Sequence, residues 1–487
     1  MIGRWHLLFA LGLYACGPAQ DKPENTRPGP LPSTTSEAQS THSPSTNPTV
    51  PTAKTTATNV HFVDIHDQAG LRFKNISGSP EQGYISETLS TGAAFFDYDN
   101  DGLLDLFAVG GTRLEGESPV ASHHLFRNQD DGQFTEETAA AGLVHTGWGM
   151  GCAVGDYDND GDLDLYITYL GPNRLYRNNG DGTFIESGDK ARIADPGWGS
   201  SAAFGDLDQD GLLDLYVTNY LVFDPEKPPV GRLKCRYKGL ESFCGPQGLK
   251  GQPDRLYRNR GNGTFADISA TTGIAQYALP ALGIAMADVD DDGDLDLYVA
   301  NDSQRNLYWR NDGDWQLQES ATPVGLAYSE NGRAQAGMGV HAGDYNRDGY
   351  FDFVVTNFSD DVNTLYRNRG DGTFDDATYA AGLGGSVRPY LGWSTSFFDF
   401  DNDGWLDLFV ANGHIYPQLE REPSDLRYAQ RNLLYHNDQG HFNEANGGPG
   451  FTAEQVSRAA ALADYDNDGD LDIFVVNLND TPNLLRN

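Results

Sequence analysis

Seven times along the chain, a run of small and apolar residues leads into a nine-residue acidic loop and then into an alternating apolar run. Gly92-Ala93-Ala94-Phe95-Phe96 and Gly283-Ile284-Ala285-Met286-Ala287 are two of the leading runs. Leu163-Asp164-Leu165-Tyr166-Ile167 and Leu295-Asp296-Leu297-Tyr298-Val299 are two that follow. Aromatic and β-branched residues at alternate positions predict strands, so each loop joins a hairpin. Further on a third element recurs as Leu175-Tyr176-Arg177-Asn178, Leu256-Tyr257-Arg258-Asn259 and Leu365-Tyr366-Arg367-Asn368. An Asn/Asp/Gly turn such as Asn179-Gly180-Asp181-Gly182 then precedes a fourth strand opening on Thr183-Phe184 or Thr264-Phe265. Two hairpins make a four-stranded unit. Seven units arranged radially predict an all-β fold, a seven-bladed β-propeller over residues 59–487.

The last repeat ends at Leu484-Leu485-Arg486-Asn487 without a fourth strand. An orphan strand, Phe62-Val63-Asp64-Ile65, precedes the first repeat and matches Phe265-Ala266-Asp267-Ile268. Residues 59–65 are therefore expected to complete the seventh blade and lock the ring.

Each loop reads Asp-x-Asp/Asn-x-Asp-Gly-x-x-Asp. Positions 1, 3, 5 and 9 are Asp97, Asp99, Asp101 and Asp105 in the first, and Asp156, Asp158, Asp160 and Asp164 in the second. The third has Asp206, Asp208, Asp210 and Asp214; the fourth Asp288, Asp290, Asp292 and Asp296. The fifth has Asp344, Asn346, Asp348 and Asp352; the sixth Asp399, Asp401, Asp403 and Asp407; the seventh Asp464, Asp466, Asp468 and Asp472. Hard cations of calcium's size take six to eight oxygens, which alternate carboxylates along a tight loop supply, with glycine at position 6 for the turn. An EF-hand would place Glu at position 12, where this chain has Ala108, Ile167, Val217, Val299, Val355, Val410 and Val475 inside strands. Carboxylates this close repel one another at neutral pH unless a cation intervenes. Up to seven structural Ca²⁺ are expected, weakest at the fifth loop, where Asn346 replaces an acid. The other reading is a hydrogen-bonded Asp turn without metal.

Across all 487 residues, 70 acidic side chains outweigh 33 basic ones, a formal charge of −37. So negative a surface repels phosphate backbones, so no nucleic-acid partner is expected. No P-loop, His-Glu-x-x-His or nucleophile elbow is present, and the repeat accounts for most acid pairs.

At the N-terminus, Arg4 and the apolar stretch Leu7–Leu13 predict a signal peptide over residues 1–15. Leu13-Tyr14-Ala15-Cys16 resembles a bacterial lipobox, making Cys16 the expected lipidated first residue; ordinary cleavage nearby is the alternative. Residues 17–58 hold 8 Pro and 15 Ser or Thr and no aromatic residue, so the segment 16–58 is expected to be a disordered tether. Membrane contact would then run through a lipid anchor only. The expected location is the bacterial outer membrane or cell surface, with a secreted or periplasmic protein as the alternative.

The loop-plus-strand unit resembles the FG-GAP/VCBS repeats of integrin α-subunit propellers and bacterial surface proteins. The units with Leu-Tyr-Arg-Asn, Gly-Asp-Gly-Thr-Phe and Ala381-Gly382-Leu383 look similar to the cartilage acidic protein family, as do Cys244-Gly245-Pro246 and Asn412-Gly413-His414-Ile415-Tyr416-Pro417. The resemblance covers about residues 59–487 and implies calcium-dependent extracellular display or adhesion. That family usually carries an ASPIC/UnbV domain after the propeller; the sequence ends at Asn487, so no role of that domain carries over.

Metal hairpins on one face leave the variable segments 110–124, 220–254 and 412–432 on the other, where binding is expected. The 220–254 insertion is basic, with Lys227, Arg232, Lys234, Arg236 and Lys238, and suits an anionic glycan or an acidic protein patch; alternatively these residues neutralise neighbouring acids. Cys235 and Cys244 are expected to form a disulfide in an exported chain, against free thiols in a reduced one. His414 and Tyr416 either line a pocket or belong to a packed turn. The leading expectation is a binding or adhesion module for a protein or glycan. The alternative is a carbohydrate-active enzyme, of polysaccharide lyase or sugar dehydratase type, with its pocket on the loop face.

Overall fold

The computed structural model describes residues 60–487 apart from 80–81, 114–121, 225, 228–233, 386 and 422–424. The signal peptide, Cys16, the tether and Arg232 lie outside the described residues. Seven four-stranded antiparallel sheets follow one another around a ring, making the seven-bladed propeller. Blade two is representative: strands Gly149–Gly155, Asp164–Tyr169, Arg174–Asn178 and Phe184–Glu186 run from the axis outward.

Both faces of the inner two strands are buried, because alternate residues feed two different cores. Ala93 and Phe95 pack against blade seven with Tyr465 and Phe474. Their neighbours Ala94 and Phe96 pack against blade two with Val154 and Ile167. Such interfaces recur between every pair of adjacent blades. At particular glycines near the axis, neighbouring strands approach until no side chain fits. A Cβ on Gly339 would sit 2.1 Å from the Trp393 carbonyl oxygen, and one on Gly283 would sit 2.3 Å from that of Met338.

Blade seven draws on both ends of the described chain. Strands Ser457–Ala463, Asp472–Asn477 and Asn483–Arg486 are followed outward by Val63–Asp64, with Val63 opposite Arg486 and Asp64 opposite Leu485. Phe62 inserts beside Phe400 and Phe451, and the Asn483 side chain donates to Asp64 at 2.7 Å.

One further core lies on the axis at the loop face. It gathers Trp148, Trp198, Tyr220, Phe243, Trp393, Ile415 and Tyr416 from several blades. The 220–254 insertion supplies its cover: the hairpin Cys235–Tyr237 and Leu240–Ser242, closed by the Cys235–Cys244 disulfide, reaches across the ring. Residues of, or next to, the inner strands of all seven blades line an axial pocket of about 130 Å³.

Candidate metal centres and the covered face

The seven acidic loops share one local geometry. The first carboxylate accepts the backbone N–H groups of positions 5 and 6, as Asp97 does from Asp101 at 3.1 Å and Gly102 at 2.9 Å. Equivalent pairs close the other six loops. Position 4 takes a left-handed conformation, φ 58° at Asn100, which tips the chain so that positions 3 and 5 face inward.

Position 9 is the buried end of the site. Asp105 is inaccessible to solvent and accepts the Asn128 N–H at 2.8 Å and the Tyr98 N–H at 3.1 Å. Burial pushes Asp105, Asp164, Asp352 and Asp407 up to about 8, and Asp214, Asp296 and Asp472 up to about 7. A cation beside these groups would hold them ionised.

The donors converge as a metal site requires. Asp97, Asp99 and Asp105 place one oxygen each within 4.8 Å of one another, as do Asp156, Asp158 and Asp164. Asp206, Asp208 and Asp210 form such a group in the third loop, and Asp288, Asp290 and Asp292 in the fourth. The decisive atom is Oδ1 of position 3. In Asp99, Asp158, Asp208, Asp290, Asp401 and Asp466 it is buried without any hydrogen-bond partner. A buried anionic oxygen left unpaired is costly, and six equivalent copies at one loop position suit a bound cation. The fifth loop differs in the same atom: Asn346 Oδ1 accepts the Asp348 N–H at 3.0 Å and is satisfied within the loop.

An asparagine at the end of the third strand ties these loops into a ring, which the sequence analysis passed over. Its backbone caps its own loop, and its side chain donates to position 2 of the loop in the preceding blade. Asn178 reaches the Tyr98 carbonyl at 2.8 Å, Asn259 that of Tyr157 at 2.7 Å and Asn311 that of Leu207 at 2.9 Å. Asn368 reaches Val289 at 2.6 Å, Asn437 reaches Tyr345 at 2.8 Å, and Asn487 reaches Phe400 at 2.7 Å. Asn128 reaches Tyr465 at 2.9 Å and completes the circle. The recurrence of Asn after Leu-Tyr-Arg was the visible signal.

On the opposite face the candidate residues separate into two groups. His414 and Tyr416 are buried under the insertion, where Tyr237 lies 4.7 Å from the Tyr416 ring and Phe243 4.9 Å from it. His414 Nδ1 accepts the N–H groups of Ile415 and Tyr416, and burial holds the imidazole neutral, its value lowered to about 3. Lys238 is engaged by Asp360 at 2.6 Å. Lys234 and Arg236 stand exposed on the same hairpin. Arg458, also missed in the sequence, is buried at the axis. Its guanidinium donates to the carbonyls of Thr88, Gly413, Ser457 and His414 and stacks 4.2 Å from the Trp393 ring.

Residues 97–167, 165–217, 249–299, 288–355 and 344–410 match the model of the FG-GAP-like repeat. Cartilage acidic protein 1 of Xenopus tropicalis is 26% identical over 220 residues, 45% of this chain and 32% of that protein. The Homo sapiens protein of that name is 25% identical over 236 residues, 47% of this chain and 33% of its own length. The matched region thus spans about a third of these relatives. Among solved structures, an Agrocybe aegerita lectin, described as recognising non-reducing terminal N-acetylglucosamine, aligns at a TM-score of 0.43 and 17% identity over 74% of this chain and 82% of its own.

Proposed function

The chain belongs to the FG-GAP-like repeat family, and on that premise we propose that it is an exported, calcium-stabilised propeller that binds a protein or glycan partner through its loop face. Lipidation at Cys16 would anchor it to the bacterial outer membrane or cell surface, with residues 16–58 as tether. The partner's chemistry follows from the exposed Lys234 and Arg236: an anionic glycan or an acidic protein patch.

The observation that carries the calcium reading is the orphaned Oδ1 at position 3 of six loops. Oxygen-only donors, a tight Gly turn and no imidazole in five of those six suit a hard cation. The carboxylates at positions 1, 3, 5 and 9 would hold it, and Asn346 makes the fifth site the weakest. Bound calcium neutralises the loops that join the inner two strands of each blade. If each site binds at ~0.1 mM in ~1 mM calcium, linkage adds roughly 1.4 kcal/mol per site, on the order of 10 kcal/mol in all.

The test is a thermal melt of the full chain with calcium and after chelation. A melting temperature that rises by tens of degrees with calcium supports the reading; coincident melts would sink it.

A further inference from the structure

We propose that the sixth loop holds, beside its calcium position, a site for a zinc-class transition cation built from His436 Nε2, Asp401 Oδ2 and Asp403 Oδ2. It rests on the reading of the loops as cation sites.

The residue before the clamping asparagine is arginine in six blades: Arg127, Arg177, Arg258, Arg310, Arg367 and Arg486. Only blade six has a histidine there, His436. In blade one the arginine brings its fixed charge against the loop, 2.7 Å from Asp99 and 2.8 Å from Asp101. Blade three repeats this with Arg258 2.8 Å from Asp208 and 3.4 Å from Asp210. A guanidinium cannot ligate a metal, since it has donors and no lone pair to offer. An imidazole can, and it favours zinc, cobalt or copper over calcium.

The geometry matches that chemistry. His436 Nε2 lies 3.2 Å from Asp401 Oδ2 and 3.7 Å from Asp403 Oδ2. A tetrahedral ion with bonds of about 2.0–2.1 Å separates its ligand atoms by about 3.3–3.4 Å, between those two values. The three donors already lie within 4.8 Å of one another. Nε2 is the ring nitrogen that faces the two carboxylates, while Nδ1, on the far side of the ring, is buried and makes no hydrogen bond. Asp401 would offer Oδ1 to calcium and Oδ2 to the second ion, and Asp403, whose Oδ1 also accepts the Trp405 N–H at 2.8 Å, would likewise be shared between the two.

The experiment titrates Co²⁺ into the calcium-loaded full chain and reads the visible absorption of the tetrahedral ion, then displaces it with Zn²⁺. One equivalent per chain is expected. His436→Arg, which installs the residue of the other six blades, should abolish the band or weaken binding by roughly a hundredfold with an unchanged melt. His436→Gln, which removes the ligand without adding charge, should do the same. No band in the native chain, or an equal band in either variant, overturns the proposal. Calcium binding is titrated separately. A cobalt band that persists where calcium fails to bind would overturn the calcium reading and leave this site standing.

Discussion

At the scale of single residues, the carboxamide at the end of each third strand does more than its size suggests. Asn259 is buried and gives its side-chain N–H groups to the carbonyls of Tyr157 at 2.7 Å and Leu213 at 2.9 Å, one in the neighbouring blade and one in its own. Asn259→Ala leaves both carbonyls unsatisfied, a loss of about 2–3 kcal/mol by the cost of stranded buried acceptors. Urea denaturation should show a lower midpoint with the slope preserved, and an unaltered midpoint would refute the clamp. The backbone N–H of residue 259 still caps Asp214 in that variant, so the loss reports on the side chain alone.

At the scale of elements, the strands and acidic loops were legible because each obeys a short local rule. Alternation gave the hairpins, and the Asp spacing gave the loops. What alternation hid was the destination of each side chain: Phe95 and Phe96 are adjacent, yet they serve opposite blade interfaces. The 220–254 insertion was the harder case. Its cysteines and basic charge are plain in the sequence, but where it lies is not, because its contacts with Phe358, His414 and Tyr416 span more than a hundred residues of chain. His414 and Tyr416 therefore belong to the packed cover, while the hairpin offers Lys234 and Arg236 to solvent. Changing both to Glu reverses the charge there without touching the core below. The double variant should lose retention on a sulfated-polysaccharide column while melting with the native chain. Retention equal to the native chain's would remove the hairpin from the binding surface.

At the scale of the whole molecule, the ring is held by seven equivalent interfaces and by one strand that comes from the far end of the sequence. Removing residues up to Ile65 would uncover the Asn483–Arg486 edge and take Phe62 out of its place beside Phe400 and Phe451. An open strand edge is a template for pairing with other chains. The shortened protein should melt lower and elute from size exclusion as oligomers or aggregate; a monomer of native stability would show that the ring needs no such closure.

The place where that strand joins the sheet also decides how the molecule meets mechanical load. Any tension transmitted along the chain from residue 60 arrives first at Phe62, Val63 and Asp64, before it reaches any blade built from contiguous sequence. The two residue pairs, Phe62, the bonds from Asn483 and Leu484 to Asp64, and the backbone bonds of Phe62 and Ile65 therefore meet that pull first. Under such a pull, loss of that strand from blade seven and opening of the ring are a single event.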